Sequence, residues 1–148
     1  QTTGVTYASF LVNVSSLGTL NTTGSYFANL IESNSTTNYA ACVWAKQSTT
    51  PGKYLIGISN RSSSTPVYYT VDMNTNQDYF ITLSYEIVAG TANDVSKLWI
   101  NTTSFNGILP TPDVTALGGT DVAAVGLGRF LLRQAAATTT PFILFDSE

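Results

Sequence analysis

Apolar and polar residues alternate along most of this chain with a period of two, the signature of strands with two unlike faces. The clearest stretch is Tyr79–Asn101, YFITLSYEIVAGTANDVSKLWIN. Tyr79, Ile81, Leu83, Tyr85 and Ile87 alternate with Phe80, Thr82, Ser84 and Glu86, while Ser96, Leu98 and Ile100 share one face of Val95–Asn101. Gly90, Asn93 and Asp94 supply turn chemistry between the two runs. The pattern predicts an antiparallel hairpin about Ala89–Asp94. In it Val88 faces Val95, Glu86 faces Lys97, Ser84 faces Trp99, Tyr85 faces Leu98 and Leu83 faces Ile100. Tyr79, Ile81, Leu83, Tyr85, Ile87, Leu98 and Ile100 then form an apolar strip, and Glu86 with Lys97 makes an opposite-charge pair on the other face.

The same alternation predicts strands over Thr6–Val14, Tyr26–Glu32, Ala40–Gln47, Tyr54–Ser59, Val67–Val71, Val125–Arg133 and Phe142–Phe145. In the first, Ala8, Phe10, Val12 and Val14 face one way. Within Val125–Arg133, Gly126 and Gly128 mark a bulge or a close backbone approach. Clusters of Asn, Ser, Thr, Pro and Gly separate the strands. Thr102–Ala124 breaks the alternation, and a stretch of that length is either functional or carries short structure of its own. No segment has helical periodicity. Eight or nine short strands therefore predict an all-β antiparallel sandwich or barrel, one domain across residues 1–148.

Composition narrows the partners. Charged residues are 10 % of the chain, against about 25 % in ordinary domains. Thr, Ser and Asn make up roughly a third of it, so the surface is polar through hydroxyls and amides. A net charge of −3 argues against nucleic acid, which needs clustered Lys and Arg. No apolar run approaches the ~20 residues of a membrane-spanning helix. The absence of histidine removes the commonest general base and metal ligand. Cys42, the single cysteine, lies in the apolar setting AACVW and reads as an inert buried thiol. The first residue is Gln1, not Met, which reads as a processed product or a fragment. Low charge and the lack of an internal disulfide lean toward a bacterial extracellular location.

Several segments together carry a resemblance: YASFLVNV, GSYFANL, TNQDYFITLSYEIVAGTANDVSKLWIN, RFLLRQ and ILFDS. They resemble the LamG-like, concanavalin A-like lectin/glucanase modules of large secreted bacterial proteins, most specifically over Tyr85–Asn101. The resemblance implies a jelly roll, two antiparallel sheets with one curved against the other. It also implies a further stretch of strand after Phe145-Asp146-Ser147, so the last strand reads as cut short or the chain as part of a longer protein.

Some relatives of that fold hydrolyse glycans with two carboxylates on one strand. Here no two acids stand at i, i+2 on a strand, and Glu86 is the only acid expected inside a core strand, so no enzyme activity is expected. Asp72, Asn74, Asn76 and Asp78 place oxygens at alternate positions as a calcium loop would. Glycine is missing at the loop's sixth position, however, and Leu83 stands at its twelfth, so an Asx-rich turn is the competing reading. No other cofactor is implied. Trp44 and Trp99 are candidate platforms for sugar rings, with Asn101 as an amide partner for a hydroxyl; ordinary core packing is the alternative for both indoles. Asn13, Asn21, Asn34, Asn60 and Asn101 each begin an Asn-x-Ser/Thr sequon.

These features point to a non-catalytic extracellular binding or adhesion module, with glycan or a cell-surface polymer as partner. The alternative is a structural subunit of a filament or surface layer. Val5–Val14 and Phe142–Phe145 are apolar and nearly uncharged, the character of a strand edge that accepts another copy by β-augmentation. A glycoside hydrolase is the third and weakest reading.

Overall fold

A computed structural model describes residues 2–102, 109–134 and 139–146. Alternation becomes strand throughout these residues: β1 (Gly4–Ser16), β2 (Ser25–Glu32), β3 (Tyr39–Gln47), β4 (Lys53–Arg61), β5 (Val67–Tyr68), β6 (Met73–Asn74), β7 (Asp78–Ile87), β8 (Val95–Ile100), β9 (Val114–Leu117), β10 (Leu127–Leu132) and β11 (Phe142–Asp146). Two of them, β6 and β9, lie where no strand was expected. They are only two and four residues long, too short for a period to register. Among the described residues there is no helix, hence none long and apolar enough to cross a membrane.

The strands form two antiparallel sheets packed as a β-sandwich. Sheet A runs β11-β1-β7-β8-β9; sheet B runs β10-β2-β3-β4-β5, with β6 also paired to β4. The inward residues are those the alternation selects. Phe10, Val12, Val14, Ile81, Leu83, Tyr85 and Leu98 from sheet A meet Phe27, Leu30, Val43, Tyr54, Ile56 and Ile58 from sheet B in one core. Full burial of each large aliphatic side chain contributes about 1.5–3 kcal/mol. Phe145 approaches Phe10 and Phe27 at 5.9 and 6.0 Å between ring centres, and Phe130 approaches Phe10 at 5.5 Å. This ring cluster fills the side of the sandwich where the edge strands β10 and β11 lie. The bulge expected at Gly128 is present between Leu127 and Arg129. A side chain there would stand 2.8 Å from Ser33 Cα.

The central hairpin has the expected faces but a different register. Ser84 is opposite Lys97, Thr82 opposite Trp99, Leu83 opposite Leu98, Tyr85 opposite Ser96 and Glu86 opposite Val95. The whole set is displaced by two residues from the expected pairing. Such a shift preserves which side chains face inward, so the hydrophobic pattern alone does not distinguish the two registers. Turn chemistry decides it. Asp94 accepts the Val88 N–H through Oδ1 at 2.8 Å, and Asp121 accepts the N–H groups of Ala92, Asn93 and Asp94 at 2.6–3.1 Å. The loop is thereby held open at Val88 instead of closing onto a Val88–Val95 pair. Lys97 still reaches Glu86 diagonally, at 2.8 Å. Tyr79, Ile81, Leu83, Tyr85 and Leu98 are buried, with Ile87 and Ile100 partly so.

The two terminal segments lie side by side in sheet A. β1 pairs with β7 over Gly4–Asn13, and β11 flanks it on the other side only over Leu11–Ser16. A strand apolar on one face and nearly uncharged on the other is equally suited to the middle of a sheet. Of the two terminal strands, β11 takes an edge of sheet A, and β9 takes the opposite edge.

Candidate functional site

The outer face of sheet B gathers the aromatic residues that the core does not use. Trp44 alternates with the inward Val43 and Ala45, so its indole turns outward. Its Cα partners are Tyr26 on β2 and Gly57 on β4, and Gly57 in turn pairs with Tyr68 on β5. Tyr26, Trp44, Gly57 and Tyr68 therefore form one transverse row across four neighbouring strands, a span of roughly 15 Å. The rings of Tyr26 and Trp44 lie 5.2 Å apart, and Tyr39 stands 5.7 Å from Tyr26. All four aromatic residues are partly exposed.

Hydrogen bonds hold two of these side chains in place. The Trp44 indole N–H donates to Ser59 Oγ at 2.8 Å, and that hydroxyl donates to the Arg61 carbonyl at 2.8 Å. The Tyr39 hydroxyl donates to the Thr36 carbonyl at 3.1 Å. Gly57 permits the row to continue: a Cβ there would fall 2.7 Å from Tyr68 Cδ1 and 2.4 Å from the Val67 carbonyl oxygen. Burial pushes the Tyr68 phenol up to about 12, and burial also raises that of Tyr26 against the opposing pull of Arg133. Both hydroxyls are neutral donors at physiological pH.

Two cations lie on the rings. The Arg133 guanidinium sits 5.0 Å from the Tyr26 ring centre and 4.9 Å from that of Tyr39, and Lys46 Nζ sits 4.2 Å from Tyr68. These are cation–π distances. Arg133 also borders a recess of about 240 Å³ with Gln134, Thr140 and Pro141. Cys42 is fully buried, in register with Ser59, and burial pushes its thiol up to about 12, so it stays protonated as the sequence indicated.

Glu32 is the only carboxylate within the described strands of sheet B, although the sequence reading gave that distinction in the core to Glu86. Its side chain is 3 % exposed and accepts from Arg61 at 2.8 Å, Asn38 at 2.8 Å and the Ala123 N–H at 3.2 Å. Alone in its strand position, it is closed off by donors and has no second carboxylate beside it.

Of the residues singled out from sequence, Trp44 belongs to this face. Trp99 is on the other sheet and only 4 % exposed; it lies under the segment after residue 108, donating to the Pro110 carbonyl at 2.8 Å. Asn101 has φ 56° and its Oδ1 accepts the Phe80 N–H at 2.9 Å, so its amide oxygen ends the β7–β8 ladder. Asp72 accepts from the Ser48 hydroxyl, which together with Thr50 holds its carboxyl below the usual range. Asn74 accepts from the Lys53 ammonium, and Asp78 accepts from Asn13 at 2.7 Å. Asn76 takes φ 57° and donates its N–H to the Val14 carbonyl. One oxygen each of Asp72, Asn74 and Asp78 is thus engaged by a separate donor, one of them a cation, as in an Asx-rich turn. Among the described residues no three His, Cys, Asp or Glu form a metal-holding group.

Tyr26, Tyr39, Tyr68 and Arg133 were not singled out. Their meeting depends on pairing between distant segments, and the available hint was Gly57, an isolated glycine inside an apolar strand, which signals close approach. Compared with family models, curated proteins and solved structures, the chain matches none, and the chemistry of this face is the basis for assigning a role.

Proposed function

We propose that the chain is a non-catalytic extracellular binding module that holds a glycan across the outer face of sheet B. The observation that carries this reading is the Tyr26–Trp44–Gly57–Tyr68 row with Tyr39 beside it. Flat, partly exposed rings stack on the C–H faces of pyranose units, and a row across strands engages consecutive units of a polymer. The surrounding Ser, Thr and Asn hydroxyls and amides suit sugar hydroxyls. The strand orders of the two sheets are compatible with the jelly roll that the LamG-like, concanavalin A-like resemblance implies. A glycosidase mechanism needs two carboxyl groups about 5–9.5 Å apart. Glu32, the only acid in the strands beneath this face, is occupied by its own donors, which favours binding over hydrolysis.

Trp44→Ala is expected to lose about 2 kcal/mol of binding, roughly 30-fold, on whichever glycan an array first identifies. Circular dichroism should be unchanged, because the indole is not part of the core. Binding equal to that of the original chain would move the site off this face.

The edge strand β11 favours a second reading, a self-associating structural subunit. Among the described residues β11 pairs only with β1, and Phe142 and Leu144 are 65 % and 62 % exposed. No Lys or Pro guards Phe142–Asp146. Sedimentation at high concentration is expected to show concentration-dependent association that Leu144→Lys abolishes. A monodisperse monomer would leave the binding module alone.

A further inference from the structure

We infer, resting on the glycan-binding reading above, that the ligand is an anionic glycan, a polymer bearing carboxylate or sulfate groups, with Arg133 and Lys46 as its charge contacts. Charge is segregated in this chain. The net charge is −3, yet every Lys and Arg except Lys97 lies in or directly beside the strands of sheet B. By the same measure sheet B has two carboxylates, Glu32, which Arg61 neutralises at 2.8 Å, and Asp72 beside β6, which lies near Lys53, so Lys46, Arg129 and Arg133 remain in excess. The outer face of sheet B is consequently positive on a negative protein, an arrangement that concentrates anions at that face.

The two cations in the aromatic row are held differently from the others. Arg61 and Lys97 form the ion pairs of the described residues. Arg133 and Lys46 are instead laid over tyrosine rings, at 4.9–5.0 Å and 4.2 Å. A ring face attracts a cation without neutralising it. A guanidinium over a ring face can still present its in-plane N–H groups, a fork that matches a carboxylate or sulfate in two hydrogen bonds. Arg133 also forms part of the wall of a recess of about 240 Å³ between β10 and β11, with Gln134 and Thr140 as its other polar lining and Leu132, Pro141, Ile143 and Phe145 as its apolar lining. That is below the usual range for drug-sized pockets and suits a single sugar unit or its acidic substituent. Trp44 would stack on a sugar ring while Arg133, held over Tyr26 and Tyr39, takes an acidic group at one end and Lys46 another toward Tyr68.

The test is affinity electrophoresis of the whole chain through gels containing polygalacturonate, alginate or chondroitin sulfate. Each is compared with a neutral counterpart: methyl-esterified polygalacturonate, carboxyl-reduced alginate and desulfated, esterified chondroitin. At least one anionic polymer is expected to bind about tenfold or more tightly than its neutral form, and the preference should weaken as salt is raised. Arg133→Gln should reduce that preference to within about twofold, with Arg133→Lys intermediate because it retains charge and loses the fork. Lys46→Gln gives an independent, smaller loss should the Arg133 variant disturb the packing of Tyr26 and Tyr39. Equal binding of charged and neutral forms, with Trp44→Ala still damaging, would overturn the anionic assignment and leave the glycan reading standing. No retention by any polymer would overturn both. Tighter binding of a single-stranded thymidine oligonucleotide than of every acidic glycan would overturn the assignment in favour of a nucleic-acid face.

Discussion

Replacing Asp94 by alanine is expected to cost at least about 3 kcal/mol and to lower the melting temperature by roughly 10 °C. Asp94 is 1 % exposed, and both its oxygens are occupied. Oδ2 accepts the Tyr85 hydroxyl at 2.8 Å and the Val122 N–H at 3.1 Å, while Oδ1 accepts the Val88 N–H at 2.8 Å. The carboxylate therefore ties together the end of β7, the start of β8 and the segment leading to β10. Truncation leaves three donors without a partner, each an unmet cost of about 1–3 kcal/mol where water does not reach. Burial, and then the hydrogen bond to Asp94, hold the Tyr85 phenol far above its ordinary pKa, so the hydroxyl remains a donor across the accessible pH range. Asp94→Asn should fall between the two proteins, because it keeps the shape but turns one acceptor into a donor facing N–H or O–H. Calorimetry decides the matter. A drop of less than about 2 °C for the alanine variant would mean that the three donors find other partners.

Glu32→Ala should cost about 3–5 kcal/mol, the usual consequence of removing one member of a buried ion pair. Arg61 has a side-chain exposure of 12 % and would keep its charge without its counterion. The pair also has a pH signature. Burial alone would raise the Glu32 pKa, but the Asn38 amide, the Ala123 N–H and the Arg61 guanidinium together outweigh it and hold the carboxyl below its ordinary value. A folded-state pKa below the unfolded one means that the unfolded chain binds the proton more tightly. The stabilisation is then fully present above the ordinary carboxylate pKa and is lost as pH falls through the folded-state value. Urea unfolding at pH 7 and at successive steps below pH 4.5 should show this loss in the original chain and a flatter acid limb in Glu32→Gln. Parallel acid limbs in the two proteins would remove Glu32 as the cause.

The faces of the strands were legible in the sequence because burial on one side writes itself directly into alternation. Phe10, Val12 and Val14, and likewise Ile81, Leu83 and Tyr85, turn inward as their spacing requires. The hairpin register was not, since a displacement by two leaves that alternation intact, and the deciding contacts come from Asp94 and from Asp121, far along the chain. Similarly, Trp44 could be nominated from its residue type, but its neighbours could not. Tyr26 reaches it through irregular pairing of β2 with β3, and Arg133 arrives from beyond β10. Trp99 illustrates the converse difficulty. Outward parity left Trp99 either exposed or under a loop, and the segment carrying Pro110 folds over it; strand period alone does not choose between the two.

Sheet A has a temporal consequence. Its strand β1 lies between β7 and β11, so Val14 waits for Ile143 and Phe10 waits for Ile81. β1 precedes every other described strand in the chain, yet it is among the last to acquire both neighbours. Closing loops of this length before any pairing is rewarded places the chain among slow folders of high contact order, in the millisecond-to-second range. During synthesis β2, β3 and β4 can assemble as a meander while β1 remains extended beside them. A core built in this order is complete only once β11 has joined β1.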